Sequence, residues 1–451
     1  MSYLGNSPTD QSFVATVDYF NGDGVTVAFT LSRQVASVAQ VQAVIENVPQ
    51  NPSSAFTLMG NVITFTSAPP SGSANIYVYY TSPNTQVIAP SAGTVDRTAL
   101  AAAAVTPVKM ANYGAELGMR NRIINGDMRI DQRNAGASVT PINGSYTLDR
   151  WKVRYSANTC TVQRSTVSPV GFNNSLQLTV GTARTVVSGD RFGIEQPIEG
   201  FNSSDFGWGT TNAQTITLSF WVRSSLTGTF GLCFSNFSRG YAATYTINAA
   251  NTWEYKTVNI VGDTSGAWDT NSSTGVIVVF DIGMGSDVRT TTGSWQAGTF
   301  LGATGATNLV STSGATFYIT GVQLEKGTLA TPFEYRPYGT ELALCQRYFC
   351  QFGGQAAFEP FGLGVGESST IVSAQMSLPV PMRIAPTGLT AISPTSLSGT
   401  FGTPTGAVFD TAGYTIAMVR FTYASGVTTG GAARMYAGNS LAPRIQFSTE
   451  L

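Results

Sequence analysis

The chain of 451 residues carries 24 Lys+Arg against 25 Asp+Glu, a formal net charge of −1, and only 11% of its residues are charged. That balance gives no electrostatic steering toward nucleic acid, anionic membranes or acidic substrates. With no histidine at all, imidazole acid–base chemistry, His-activated nucleophiles and His-ligated metals are excluded.

The length leaves room for about three domains. Hydrophobic content is an ordinary 42%, and there are 48 glycines, so polarity comes from Ser, Thr, Asn, Gln and Gly. Such a composition suits many short strands joined by turns. The opening "MSYLGNSPTD" has no basic region followed by an apolar run, and no stretch approaches the ~20 apolar residues of a membrane span. A soluble protein made in a cytoplasm is expected, with no membrane insertion.

Residues 12–82 alternate as strands. "SFVATVDYF", the turn "NGDG" and "VTVAFTL" predict a hairpin, and Met59-Gly60-Asn61 marks a further break. Asn21 and Asp23 sit where a calcium loop could begin, but the downstream ligand series is missing and a plain turn is expected. Residues 83–93, "PNTQVIAPSAG", form a linker. An alanine-rich stretch from Thr94 to about residue 117 predicts a short helix with too little surface to stand alone. Its small side chains would suit packing against copies of itself.

From about 119 to 340 the chain returns to strands at a spacing that indicates a sandwich or jelly roll. In "TITLSFWVR", Ile216, Leu218, Phe220 and Val222 share one face, while Trp221 and Arg223 point the other way. Residues 341–451 also read as strands, forming a further β-sandwich. The fold class is therefore all-β and multidomain, with one short helical linker.

Candidate chemistry is sparse. Cys160, Cys233, Cys345 and Cys350 contain no CxxC pair and are expected to be buried free thiols; Cys345 and Cys350 would lie on opposite faces of one strand. Asp190, Glu195, Glu199 and Asp205 are the densest carboxylates. A glycosidase needs two acids about 5 or 6.5–9.5 Å apart, and Glu195 and Glu199 stand too far apart along a strand, with Pro197 between them. Structural roles are expected for them. "FGLGVGESS" lacks the βαβ context of a nucleotide loop. Of six tryptophans, Trp151 is expected in the core. Trp208, Trp268 and Trp295 sit in Gly/Ser/Asn loops and are the candidates for exposure and a glycan platform, although a loop tryptophan more often plugs the end of a sandwich than binds a ligand. No catalytic residue, metal site or cofactor is expected.

One charged cluster stands out, "NRIINGDMRIDQRNAG" at 121–136, followed by "YTLDRW". Here the chain resembles tail fibre and related virion proteins of tailed bacteriophages, in which such a segment opens a jelly-roll module similar to carbohydrate-binding modules. The resemblance continues through "EQPIEGFN", "TLSFWVRSSLTGTF", "VQLEKGTLATPFEYRPYGTELALCQRYF", "LPVPMRIAPT" and "FSTEL". Residues 1–82 look like a second phage module, of the kind that docks a fibre to the virion.

The resemblance implies a non-enzymatic structural protein of the phage tail, assembled in the host cytoplasm. It would be a homotrimer, attached to the tail or an adaptor protein through 1–82 and contacting host surface glycans through its β-domains. Asn121, Arg122, Asn125, Gly126 and Asp127 are then expected to form a structural seam where a stalk enters the jelly roll, with Arg129, Asp131 and Arg133 sharing one strand face. Two other readings compete. One is a capsid or collar fibre with mechanical duties only. The other is a capsule depolymerase, which would call for facing acids in a groove and a repeated β-helix; no fixed-period repeat is evident.

Overall fold

In a computed structural model, the described residues are 16–33, 35, 37–81, 119–157 and 159–451. The expected linker and alanine-rich helix (83–117) lie outside them. The chain divides into two compact units, Met1–Ala111 and Asn112–Leu451.

The first unit contains β1 (Val17–Gly22), β2 (Ala28–Thr30), β3 (Val41–Ile45), β4 (Val48–Pro49), β5 (Phe56–Met59), β6 (Val62–Phe65) and β7 (Gly72–Tyr80). They form two antiparallel sheets, β1-β7-β3-β4 and β2-β6-β5, around Val41, Phe56, Ile63, Ile76 and Val78. Alternation along each strand supplies that core. The hairpin expected across "NGDG" is not formed: β1 pairs with β7 and β2 with β6. The residues of the turn are used otherwise. The Asn21 side chain accepts from the Ala74 amide, the Gly22 amide donates to Asn75, and Asp23 accepts from the Val25 and Thr26 amides and the Thr26 hydroxyl. These bonds hold a bulge and a tight Asx turn that carries the chain from one sheet to the other. The hydrogen bond from the Thr26 hydroxyl leads in drawing the Asp23 carboxyl down to about 2. At Met59-Gly60-Asn61 a hairpin does form, with Met59 opposite Val62 and Gly60 at φ +65.

The second unit opens with β8 (Tyr146–Leu148), β9 (Trp151–Arg154), β10 (Cys160–Ser165), β11 (Ser175–Val180), β12 (Gly193–Glu199), β13 (Ile216–Ser224) and β14 (Gly228–Ser235). It continues with β15 (Arg239–Ile247), β16 (Glu254–Ile260), β17 (Thr274–Asp281), β18 (Arg289–Thr290), β19 (Trp295–Ala297), β20 (Gly302–Ala303) and β21 (Thr316–Lys326). A five-stranded sheet, β10-β11-β21-β13-β16, faces a seven-stranded one, β19-β15-β14-β17-β12-β9-β8. Between them lie Trp151, Phe220, Phe230, Tyr245, Phe280 and Phe317, with Phe220 about edge-on to Tyr245 at 5.0 Å and to Phe280 at 5.1 Å. Trp151 is fully buried, as its sequence setting implied. Ile216, Leu218, Phe220 and Val222 are buried on the inner face, and Trp221 is on the outer one.

A helix, Tyr338–Gln346, follows where strand structure was expected. Pro337 at its N-cap and the Glu-Leu-Ala-Leu run favour the helix locally. It carries Cys345, whereas Cys350 lies on the next strand, so the two do not share a strand. All four cysteines are free and buried, and burial pushes each thiol above its ordinary range. The remaining strands are β22 (Phe349–Phe352), β23 (Pro360–Gly366), β24 (Ile371–Ser377), β25 (Thr390–Ile392), β26 (Leu397–Gly399), β27 (Gly406–Ala412), β28 (Ile416–Thr422), β29 (Ala432–Ala437) and β30 (Arg444–Ser448). A six-stranded sheet, β26-β29-β23-β24-β28-β27, and a three-stranded one, β22-β30-β25, enclose a separate core around Phe361, Val372, Met376, Val419, Phe421 and Phe447. The architecture is all-β throughout. Among the described residues no helix is long and apolar enough to cross a membrane.

Candidate functional site

The charged cluster at 121–136 is a buried joint. Asn121 donates to the Val322 carbonyl at 3.0 Å and accepts from the Ile123 and Leu324 amides. Asn125, at φ +58, donates to the Ile130 and Asp149 carbonyls and accepts from the Ile130 amide. Its own carbonyl accepts from the Trp151 indole, and its amide donates to Glu341 on the helix. A Cβ on Gly126 would stand 2.2 Å from the Val322 carbonyl, so only glycine fits there. Arg122 pairs with Asp205 at 2.8 Å, and Asp127 pairs with Arg129. Desolvation is the largest influence on the Asp127 carboxyl, and it raises its pKa.

Two of the expectations need revision. Residues 129–133 are not in a strand, so their side chains are not ranked on one face. Arg129 turns to Asp127, Arg133 reaches Asp149 and Glu450, and Asp131 caps the Asn134 and Gly136 amides. The partner across the seam, among the described residues, is the C-terminal part of the same unit; the expected stalk lies outside them. Arg336 completes the joint by contacting Glu334, Glu341 and the carbonyls of Asn121 and Ile123.

The carboxylates found in sequence are committed to similar ties. Glu195 is fully buried and takes a bidentate contact from Arg154 at 2.9 Å. Glu199, also fully buried, is held by Arg347 and the Tyr348 hydroxyl. Asp190 pairs with Arg184, and Asp205 with Arg122 and Lys326. Pro197 is tolerated because the ladder with β9 has ended at Glu195, while the other side pairs with β17.

Trp208, Trp268 and Trp295 do come together. Their centroids are 4.8, 5.0 and 5.2 Å apart, all near edge-to-face. Each indole N–H donates to a backbone carbonyl, of Gln214, Ser265 and Val261 respectively. Trp208 is only 8% exposed, unlike the exposed platform its loop setting offered, and Trp268 and Trp295 are half-buried against it. Rings packed on one another present edges, not an open stacking face, and this geometry is that of a plug.

A different aromatic array offers an open face. On the outer side of the five-stranded sheet, a cleft of about 480 Å³ is walled by Phe172, Trp221, Tyr255, Phe333 and Tyr335, with Gly321 in its floor. Trp221 and Tyr255 face each other across the β13–β16 ladder, with ring centroids 5.5 Å apart. Opposite them Phe172, Phe333 and Tyr335 form a second group at 5.0–5.6 Å. The segment "GTLATPFEYRP" makes that wall: Glu325 accepts from the Thr331 amide and hydroxyl, and Gln323 accepts from the Glu334 amide. Gly321, at φ +59, sits at a bulge, where a Cβ would meet Phe172 at 2.6 Å and Trp221 at 3.1 Å. No Asp, Glu, Lys or Arg lines the cleft. Stacking surfaces without charge suit the apolar face of a neutral sugar ring. The alternation in "TITLSFWVR" already placed Trp221 outward; the walls contributed by residues 172 and 333–335 gave no local signal.

No known protein-family profile matches the chain, and no curated protein matches it in sequence. Solved structures with partial likeness include the enzymatically active domain of bacteriophage CBA120 tailspike protein 4 (15% identity, TM-score 0.27), which aligns over 46% of this chain and 22% of its own. A carbohydrate-binding module complexed with beta-1,4-galactotriose aligns over 46% of this chain and 99% of its own, with 11% identity and TM-score 0.25. The family 11 carbohydrate-binding module of Clostridium thermocellum, complexed with a mixed-linked tetrasaccharide, aligns over 42% and 96%, with 11% identity and TM-score 0.23. The aligned part of the chain thus covers about a fifth of the length of that tailspike domain.

Proposed function

We propose that this chain is a non-enzymatic glycan-binding structural protein of a tailed-bacteriophage virion, and that the aromatic cleft around Trp221 is where the jelly roll takes sugar. The cleft is the observation that carries the reading: five aromatic side chains border an uncharged slot on an open sheet face. The motif resemblance to tail fibre proteins supports the virion location, with residues 1–82 as the attachment module and a homotrimer as the assembly. In such an assembly, weak contacts to host surface glycan would be multiplied by valency. The commitment of Glu195, Glu199 and Asp190 to arginine partners supports binding without bond cleavage.

The test is a glycan array probed with the full chain, followed by titration of the hits. Trp221→Ala is expected to weaken neutral-glycan binding by about tenfold or more, a loss of ~1.4 kcal/mol. Unchanged affinity in that variant would reject the cleft. Shortened oligosaccharides after incubation with host capsule would reject the non-enzymatic reading.

A further inference from the structure

We propose that a groove on the outer face of the six-stranded sheet is a second saccharide site, selective for a pyranose bearing a carboxylate, with Arg434 as its anion partner. The proposal rests on the reading of the chain as a glycan binder, but not on the cleft at Trp221.

The groove encloses about 590 Å³ and is bordered by Phe358, Pro360, Leu363, Arg434 and Tyr436. Register explains why these side chains share a face. Leu363 stands opposite Arg434 and Pro360 opposite Tyr436 in the β23–β29 ladder, while the intervening Phe361 and Met435 are buried in the core. Leu363 is 69% exposed and Phe358 59% exposed. Phe358 also has φ +60, a left-handed conformation that disfavours a bulky side chain. An exposed aromatic held in a costly backbone conformation is a feature of ligand sites. Its ring stands 6.5 Å from that of Tyr436, giving two apolar faces for a sugar.

Arg434 supplies the selectivity. Its guanidinium lies 5.9 Å from the Tyr436 ring centroid and has neither a carboxylate nor a carbonyl partner among the described residues. Arg420, on the same sheet face, is tied to Glu367 and Asp410. In a chain where charge is scarce, an unpaired guanidinium beside two aromatic rings is free to donate a fork of hydrogen bonds to a carboxylate. A net charge of −1 gives no long-range attraction, so recognition here is by contact.

Titration of the full chain with uronate- and sialate-bearing oligosaccharides, each beside its carboxyl-reduced counterpart, tests this. At least one acidic member should bind, with its reduced counterpart and the Arg434→Gln variant each weaker by about tenfold or more. Leu363→Glu, which places a carboxylate beside Arg434, should do the same; both positions are exposed, and unchanged melting would show that the fold persists. Equal binding of acidic and reduced forms, indifference to Arg434→Gln, or no binding by any acidic member would overturn the proposal. So would equal competition by dextran sulfate, which would indicate attraction to any anion. Self-association of the chain that Arg434→Gln abolishes would assign the groove to a second copy. Trp221→Ala is titrated with neutral glycan in parallel: failure of that contrast counts against the cleft, and failure of Arg434→Gln against the groove.

Discussion

Trp208 and Trp221 are both tryptophans of the jelly roll, yet their surroundings give them opposite duties. Trp208 lies beneath two other indoles with its N–H satisfied, whereas Trp221 forms one wall of an open slot. Replacing Trp208 by alanine should therefore cost about 3–5 kcal/mol of stability, as expected for a large buried aromatic, and leave glycan affinity intact. Chemical unfolding alongside titration separates this from Trp221→Ala, for which the order of effects should reverse. Asn125 is a third kind of residue, since its side chain makes three hydrogen bonds to backbone from a left-handed conformation. Asn125→Ala strands buried amide and carbonyl groups, and the loss should be about 3 kcal/mol or more in the same unfolding assay. Asn-Gly-Asp was legible as a turn, and the resemblance marked Asn121–Asp127 as a seam; what the seam joins was not legible, because Val322 and Glu334, which bond Asn121, and Glu341, which bonds Asn125, lie some 200 residues away.

Elements obeyed their local patterns more faithfully than their expected pairings. The inner face of β13 could be read directly from alternation, and the Gly60 hairpin from its turn residue. By contrast, β1 and β2 flank a Gly-rich turn yet pair with β7 and β6, since Asn75 and Pro69 on a later segment capture the turn's backbone. The bulge at Gly321 shows how one position shapes an element: Gly321→Ala strains a positive φ and also pushes on Phe172, so the cleft's second wall moves with it. That variant should bind neutral glycan several-fold more weakly than wild type, measured by titration.

The joint between the jelly roll and the C-terminal sheets is an element-scale device with its own pH dependence. Asp149 is fully buried beside Gln132 and Arg133, and burial outweighs the arginine to push its carboxyl up to about 6. A carboxyl raised above its unfolded value of about 3.9 is protonated more readily in the folded state. Its stabilising contribution is therefore full below about pH 4 and lost as pH rises through about 6. Melting of the second unit should fall between pH 4.5 and 7, and Asp149→Asn should flatten that slope. The window stays above pH 4.5 because Glu254, where desolvation is outweighed by the combined hydrogen bonds from Lys256, Ala249 and Asn248 so that its carboxyl falls to about 2, contributes the reverse dependence in more acid solution.

At the scale of the whole molecule, charge is spent on holding structure together. Arg133, Arg150 and Arg347 through ion pairs, and Arg336 through the Asn121 and Ile123 carbonyls, all join segments far apart in the chain, and the motifs that carry the phage resemblance, from "NRIINGD" to "TPFEYRP" and "FSTEL", meet at this joint. The same motifs also carry Trp221, Phe333 and Tyr335 of the cleft, but local pattern could not show that these rings meet, because they come from segments about a hundred residues apart. The cleft around Trp221 is aromatic and has no charged residue in its lining. Binding of neutral glycan should therefore change little between low and physiological salt, whereas an ionic site would weaken.

The central claim is that the aromatic cleft around Trp221 is a sugar site. Titration of the full chain with a neutral oligosaccharide selected on the array, for wild type beside a Trp221→Ala/Tyr255→Ala double variant of unchanged melting temperature, tests it most directly. Saturable binding that disappears in the double variant is the predicted result; undiminished binding by that variant, or no neutral ligand for the wild type, would contradict it.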